Sequence, residues 1–160
     1  MSVIAKEFSP AEAELAPALL AAQDAAIASE LAYAGGISPQ DAWALIASGQ
    51  ATLVDVRSNE ERVFVGRVPE GLHVAWATGT GLTRNPRFVK ELEGKVGKQE
   101  AVLFLCRSGK RSVLAAEAAT KAGFNHAFNI LEGFEGDLDD KQQRGTFNGW
   151  RFHLLPWTQD

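Results

Sequence analysis

Cys106 is the only cysteine in the chain, and it stands where an apolar run breaks into a cationic, glycine-containing loop. The segment reads Ala101-Val-Leu-Phe-Leu-Cys106-Arg107-Ser108-Gly109-Lys110-Arg111-Ser112 and runs on into an Ala-rich stretch from Val113 to Ala122. This pattern predicts a buried strand, a tight turn and a helix start around one thiol. Backbone N–H groups of such a turn converge on its centre, and a helix N-terminus adds partial positive charge. Arg107, Lys110 and Arg111 add formal charge. All of these favour thiolate, the nucleophilic form of a cysteine. A lone cysteine is commonly just a small buried hydrophobe. A merely structural thiol, however, has no use for three cations and a glycine in the next five residues.

The rest of the chain must hold that loop. At 160 residues it fits one domain with a real core. Its net charge of −4 gives no reason to expect nucleic acid or an anionic membrane as partner. The cations beside Cys106 are thus a local feature of an acidic protein, suited to a small anionic substrate. One cysteine excludes an internal disulfide framework and any cysteine-rich metal site. No metal and no cofactor are expected. Met1 to Pro10 lacks the basic start and continuous apolar run of a signal peptide. The Ala-rich stretch that follows carries Glu12, Glu14, Asp24 and Glu30, which does not suit a membrane span. The expected location is the cytoplasm.

Residues 9–34 read as an N-terminal helical extension. Ser9 and Glu12 have the capping-box spacing with Pro10 at the first helical position, and Pro17 interrupts or restarts the helix. Leu15, Leu19, Ala22, Ala26 and Leu31 supply an apolar stripe. Gly35-Gly36 breaks it, which places a boundary between an extension over 1–36 and a domain over 37–160. Strand and helix signals then alternate. Ser38-Pro39 opens a helix reaching Gly49 through Ala42, Trp43, Leu45 and Ile46, residues 52–57 read as a buried strand, and residues 72–76 as another. A helix follows Asn85-Pro86, then come the 101–106 strand, a helix over 111–122 and a last strand over 126–131. Short apolar strands separated by helices imply an α/β fold with a parallel sheet covered on both faces. In such folds the site lies at the carboxyl ends of the strands, where Cys106 falls.

Three ordered motifs now carry a resemblance. Asp55-Val-Arg57, then Glu61, then Gly66-Arg67-Val68-Pro69-Glu70-Gly71 resembles the first signature of the single-domain rhodanese (thiosulfate sulfurtransferase-like) family. The loop from Cys106 to Arg111 is similar to that family's six-residue active-site loop, and Leu131-Glu132-Gly133-Phe134 and Leu155-Pro156-Trp157 to its C-terminal signatures. The resemblance spans about Ile37 to Trp157. Arg67 stands in place of the family's usual histidine. The helical extension and a stretch from Gly136 to Gly149 are additions to the pattern.

The resemblance implies a three-layer rhodanese-like fold with a mostly parallel five-stranded sheet. It also implies ping-pong transfer of sulfur from a small anionic donor such as thiosulfate to cyanide or a thiol, through a persulfide on Cys106. Arg107, Ser108, Gly109, Lys110, Arg111 and Ser112 would then form the donor site. Arg111 is the leading candidate to touch the donor and Arg107 the one expected to point outward. Trp76 is a candidate pocket wall. Asp55 and Arg57 are expected near the site in a structural role, as an ion pair or through backbone hydrogen bonds. His73, His126 and His153 show no pairing with Cys106 and read as non-catalytic. Asp137, Asp139 and Asp140 lack the spacing of a calcium loop. Trp150, Phe152 and Trp157 read as a tail packed back on the core. Two other functions fit the same residues. One is a cysteine phosphatase or arsenate reductase, which also uses a cysteine-centred anion loop closed by arginine. The other is a non-catalytic rhodanese-like module that binds a partner.

Overall fold

A computed structural model describes residues 15–160. The Ser9–Glu12 capping box and Pro10 lie outside the described residues. Helix α1, Pro17–Ala28, begins at the proline, so Pro17 occupies a first-turn position where its missing N–H costs nothing. Strand β1 is Gly35–Ile37, and α2, Pro39–Ala47, starts at Ser38, whose side chain accepts the Asp41 N–H at 3.1 Å. Then follow β2 (Thr52–Asp55), α3 (Asn59–Val65), β3 (Leu72–His73) and a small hairpin of β4 (Ala77–Thr78) with β5 (Thr83–Arg84). Helix α4 (Phe88–Glu93), β6 (Ala101–Leu105), α5 (Arg111–Lys121) and β7 (His126–Ile130) complete the set.

Five strands form one parallel sheet in the order β1-β7-β6-β2-β3. Every residue of the central β6 is buried, as its unbroken apolar run requires of a strand covered on both faces. Side chains alternate across the sheet. Leu53, Leu103, Leu105, Phe128 and Ile130 pack on one face with Leu19, Ala42, Leu45 and Trp150. Val54, Val56, Val102, Phe104 and Cys106 pack on the other with Phe88, Leu92, Ala115, Ala116 and Ala119. Helices α1 and α2 thus cover one side, and α4 and α5 the other. This is the three-layer rhodanese-like arrangement, with the thiol on the side that α5 covers.

Three local expectations change. Gly35-Gly36 is not a break but the start of edge strand β1, paired with Phe128 and Asn129 of β7. A Cβ at Gly35 would stand 2.5 Å from the Ala22 carbonyl oxygen, so glycine lets α1 lie directly on this strand. Leu19 of α1 is fully buried in the same core. A boundary after residue 36 therefore cuts through β1 and separates a helix from the sheet it covers. Second, the expected strand over 72–76 is regular only at Leu72 and His73, although the Val74 and Trp76 N–H groups still bond the Asp55 and Val56 carbonyls at 3.0 and 2.9 Å before the chain turns into the hairpin. Third, α3 adds a helix to the expected elements. Its signal is Ser58-Asn-Glu-Glu61, a capping box in which Ser58 and Glu61 bond each other's backbone N–H.

Candidate active site

Cys106 is the first residue past β6, and the chain bends through Arg107–Lys110 before α5 begins at Arg111. Gly109 takes φ +99°, a conformation that favours glycine, and its backbone N–H donates to Cys106 Sγ at 3.1 Å. Ser112 Oγ, in the first turn of α5, lies 3.2 Å from the same sulfur. Ser112 is fully buried and donates a short hydrogen bond to Oδ1 of Asn129 on β7. The thiol is 1% exposed. A backbone amide and a hydroxyl, with a helix start beside them, therefore surround one sulfur in an otherwise apolar layer.

The cations of the loop divide. Arg107 and Lys110 are exposed, while Ser108 and Gly109 are half-buried. Arg111 turns back to α3 and forms a two-pronged pair with Glu61, Nη1 to Oε1 at 2.7 Å and Nη2 to Oε2 at 2.8 Å. Burial pushes the Glu61 carboxyl up. The Arg111 hydrogen bond and charge, with the Ser58 backbone and the Arg57 charge, outweigh it and hold the group below the usual carboxylate range. Arg111 is held more firmly in its charged form, first by the Glu61 hydrogen bond and against the effect of burial, then by the charges of Glu61, Cys106 and Asp55.

Asp55 and Arg57 form a buried ion pair under the site. Arg57 Nη2 reaches Asp55 Oδ2 at 2.8 Å and the Gly66 carbonyl at 2.8 Å, and its guanidinium lies 4.3 Å from the Phe134 ring centroid. Arg62 adds a second cation to Asp55 at 3.2 Å. The pair thus ties the end of β2 to the start of the 66–71 loop and to the segment after β7. Trp76 packs at the edge of the layer that holds Cys106, edge-on to Phe88 at 5.1 Å, with the Arg84 guanidinium stacked 3.7 Å over its ring.

The segment after β7 backs the loop. Phe134 N–H donates to the Cys106 carbonyl at 2.8 Å, and Glu135 N–H to that of Arg107 at 3.0 Å. Each histidine is engaged elsewhere: His73 with the Arg57 carbonyl, His126 with Gln23, and His153 with Gln40 and Glu132. Asp139 accepts from the Lys141 and Gln143 amides and the Thr146 hydroxyl, bonds that hold its carboxyl below the usual range, the Gln143 amide most. It organises the 136–149 loop, whose base Asp137 and Asn148 join through two hydrogen bonds. Of the expected aromatic tail, Trp150 is core, Trp157 packs edge-on to the buried Phe134 at 6.1 Å while 40% exposed, and Phe152 is 42% exposed. The chain beyond Trp157 also pairs with Arg67, through reciprocal backbone bonds between Arg67 and Thr158 at 2.8 Å.

Two residues of the site escape a reading of the loop alone. Glu61 is visible in sequence only as part of a signature, and its pairing with Arg111 spans 50 positions. Asn129 carries a fainter signal, a lone amide in an apolar strand, and at 3% exposure it must find a polar partner.

Residues 38–139 match the rhodanese-like domain family, and the chain belongs to it. The crystal structure of Rv0390 from M. tuberculosis is similar at a TM-score of 0.72 and 46% identity, over 80% of this chain and 99% of that one. An uncharacterized protein of Rickettsia rickettsii is 36% identical over 119 residues, covering 71% of this chain and 87% of its own length. The thiosulfate:glutathione sulfurtransferase of Homo sapiens is 32% identical over 113 residues, 68% of this chain and 97% of that protein. Among the described residues no helix is long and apolar enough to cross a membrane.

Proposed function

We propose that the protein is a sulfurtransferase that carries sulfane sulfur on Cys106. The observation that carries this reading is the pair of contacts on the sulfur, Gly109 N–H at 3.1 Å and Ser112 Oγ at 3.2 Å, at the end of the central strand. The Cys106 thiolate attacks the outer sulfur of a donor such as thiosulfate. The donor's S–S bond breaks, sulfite leaves with the electron pair, and a new S–S bond makes the Cys106 persulfide. Cyanide or a thiol then attacks the outer sulfur, and the Cys106 thiolate is restored. An amide and a hydroxyl aimed at the sulfur stabilise the negative charge that returns to it. Arg107 and Lys110 stand in solvent at the mouth and attract an anionic donor from a distance.

Burial of the thiol also bears on the alternative of phosphoryl chemistry. A nucleophile 1% exposed is reached more easily by a slim terminal sulfur than by a phosphorus screened by three oxygens. Four residues separate Cys106 from Arg111, one fewer than in cysteine phosphatases, and a shorter turn has less reach around a bound phosphate.

The test is intact-mass analysis after incubation with thiosulfate. The expected result is one added sulfur, removable by cyanide, in the wild type and none in Cys106→Ser. Full thiocyanate production by Cys106→Ser, or robust aryl-phosphate hydrolysis by the wild type with no persulfide, would end the proposal.

A further inference from the structure

We infer that Glu61 sets the donor class of this site by holding the Arg111 guanidinium out of anion binding, so that an organic persulfide is taken in preference to thiosulfate. This rests on the sulfur-transfer reading of Cys106. Arg111 closes the loop and is the one loop cation withdrawn from solvent. Each of its terminal nitrogens donates to one Glu61 oxygen, at 2.7 and 2.8 Å. Glu61 thus occupies the end-on, two-pronged edge through which a guanidinium would grip a sulfonate-like group, and its charge offsets that of Arg111 toward any second anion approaching the remaining N–H groups.

The pair does not open easily. Its side chains are only 16% and 17% exposed, so water competes for it less than for a surface pair. Glu61 is fixed from behind as well, since its Oε1 accepts the Ser58 N–H at 3.1 Å and the Ser58 hydroxyl at 3.2 Å. Swinging Glu61 away would break the cap of α3 along with the ion pair. What remains for a donor's charge is Arg107 and Lys110, both exposed and therefore weak as contacts.

Thiosulfate depends on such contacts, because its leaving group is a dianion whose oxygens need donors. An organic persulfide, R–S–SH, does not. The Cys106 thiolate attacks its outer sulfur, the S–S bond of the donor breaks, and R–S⁻ leaves with the electron pair. The outer sulfur keeps its proton and becomes the terminal sulfur of the Cys106 persulfide.

Glu61→Gln separates the possibilities. Glutamine can keep the capping bond to Ser58, but its NH₂ group faces a guanidinium N–H and repels it, which frees Arg111. The measurements are the rate of Cys106 persulfidation by thiosulfate and by an uncharged alkyl persulfide, and the dissociation constant of sulfite, which does not transfer sulfur. The wild type should react faster with the alkyl persulfide. Glu61→Gln should gain roughly tenfold in sulfite affinity and in the ratio of thiosulfate rate to alkyl persulfide rate. In Glu61→Gln/Arg111→Ala the gain should vanish, leaving sulfite affinity at the wild-type level. No gain in Glu61→Gln, or a gain that survives loss of Arg111, would overturn the inference. So would a double variant that binds sulfite tenfold more weakly than the wild type, since Arg111 would then already hold anions. If no donor persulfidates Cys106, the sulfur-transfer reading fails, while the sulfite affinities still decide whether Glu61 blocks Arg111.

Discussion

Gly133 lies against the backbone of Arg107 so closely that a Cβ on it would stand 2.4 Å from the Arg107 carbonyl carbon and oxygen. The segment after β7 thereby serves as the floor of the Cys106 loop, and its neighbours Phe134 and Glu135 bond the carbonyls of Cys106 and Arg107.

Gly133→Ala is expected to damage both stability and the loop. Its φ of +70° disfavours any side chain, at a cost on the order of 1–3 kcal/mol, and the obstacle is backbone that cannot rotate away. The melting temperature should fall by about 5 °C or more, and persulfide formation at Cys106 should slow. An alanine variant with wild-type melting and rate would show that the loop does not rest on this contact.

Asn129 should matter through Ser112. The Ser112 hydroxyl has one hydrogen, and while Asn129 Oδ1 accepts it the sulfur contact must be made by the thiol as donor. When Cys106 is ionised the hydroxyl has to turn toward sulfur, and Asn129 can follow by presenting its NH₂ to Ser112. Asn129→Leu should slow persulfide formation roughly tenfold. Asn129→Asp should slow it further, because a carboxylate can only accept and adds negative charge near the sulfur. A faster Asn129→Asp than Asn129→Leu would contradict this account.

Acid should weaken the loop through Glu61. The Glu61 carboxyl is held below its ordinary value, so its contribution is present above the usual carboxylate range and is lost as pH falls through the lowered folded value. The Arg111 shift is upward, so that side contributes undiminished across the acid range. Melting temperatures measured between pH 7 and pH 3 should show a steeper acid limb in the wild type than in Glu61→Gln. Equal slopes would mean that the pair adds nothing to pH-dependent stability.

Removing residues 1–34 is expected to destabilise the domain rather than release it intact. The cut takes away α1, whose Leu19 is fully buried, and bares the face of β1 against which Ala22 lies. A truncated protein that stays soluble, melts as the wild type does and forms the persulfide would restore a boundary near residue 36.

The sequence by itself determined the parts that depend on near neighbours. The β6 strand, the Gly109 turn and the α5 helix follow from an apolar run, a glycine and an Ala-rich stretch within twenty-two residues, and together they place Cys106 at a strand end. The pairing of Asp55 with Arg57 is equally local. Only the tertiary structure decided what surrounds the loop. Arg111 could face a donor or a carboxylate on sequence grounds alone; the packing of α3 beside α5 gives it Glu61. Gly133 meets Arg107, and Asn129 meets Ser112, because β7 lies next to β6 in the sheet. Gly35-Gly36 reads locally as a breaker, yet the free edge of β7 makes it a strand. Turn and helix preferences act over a few residues, whereas charge pairing and close backbone approach are set by which elements the core brings together.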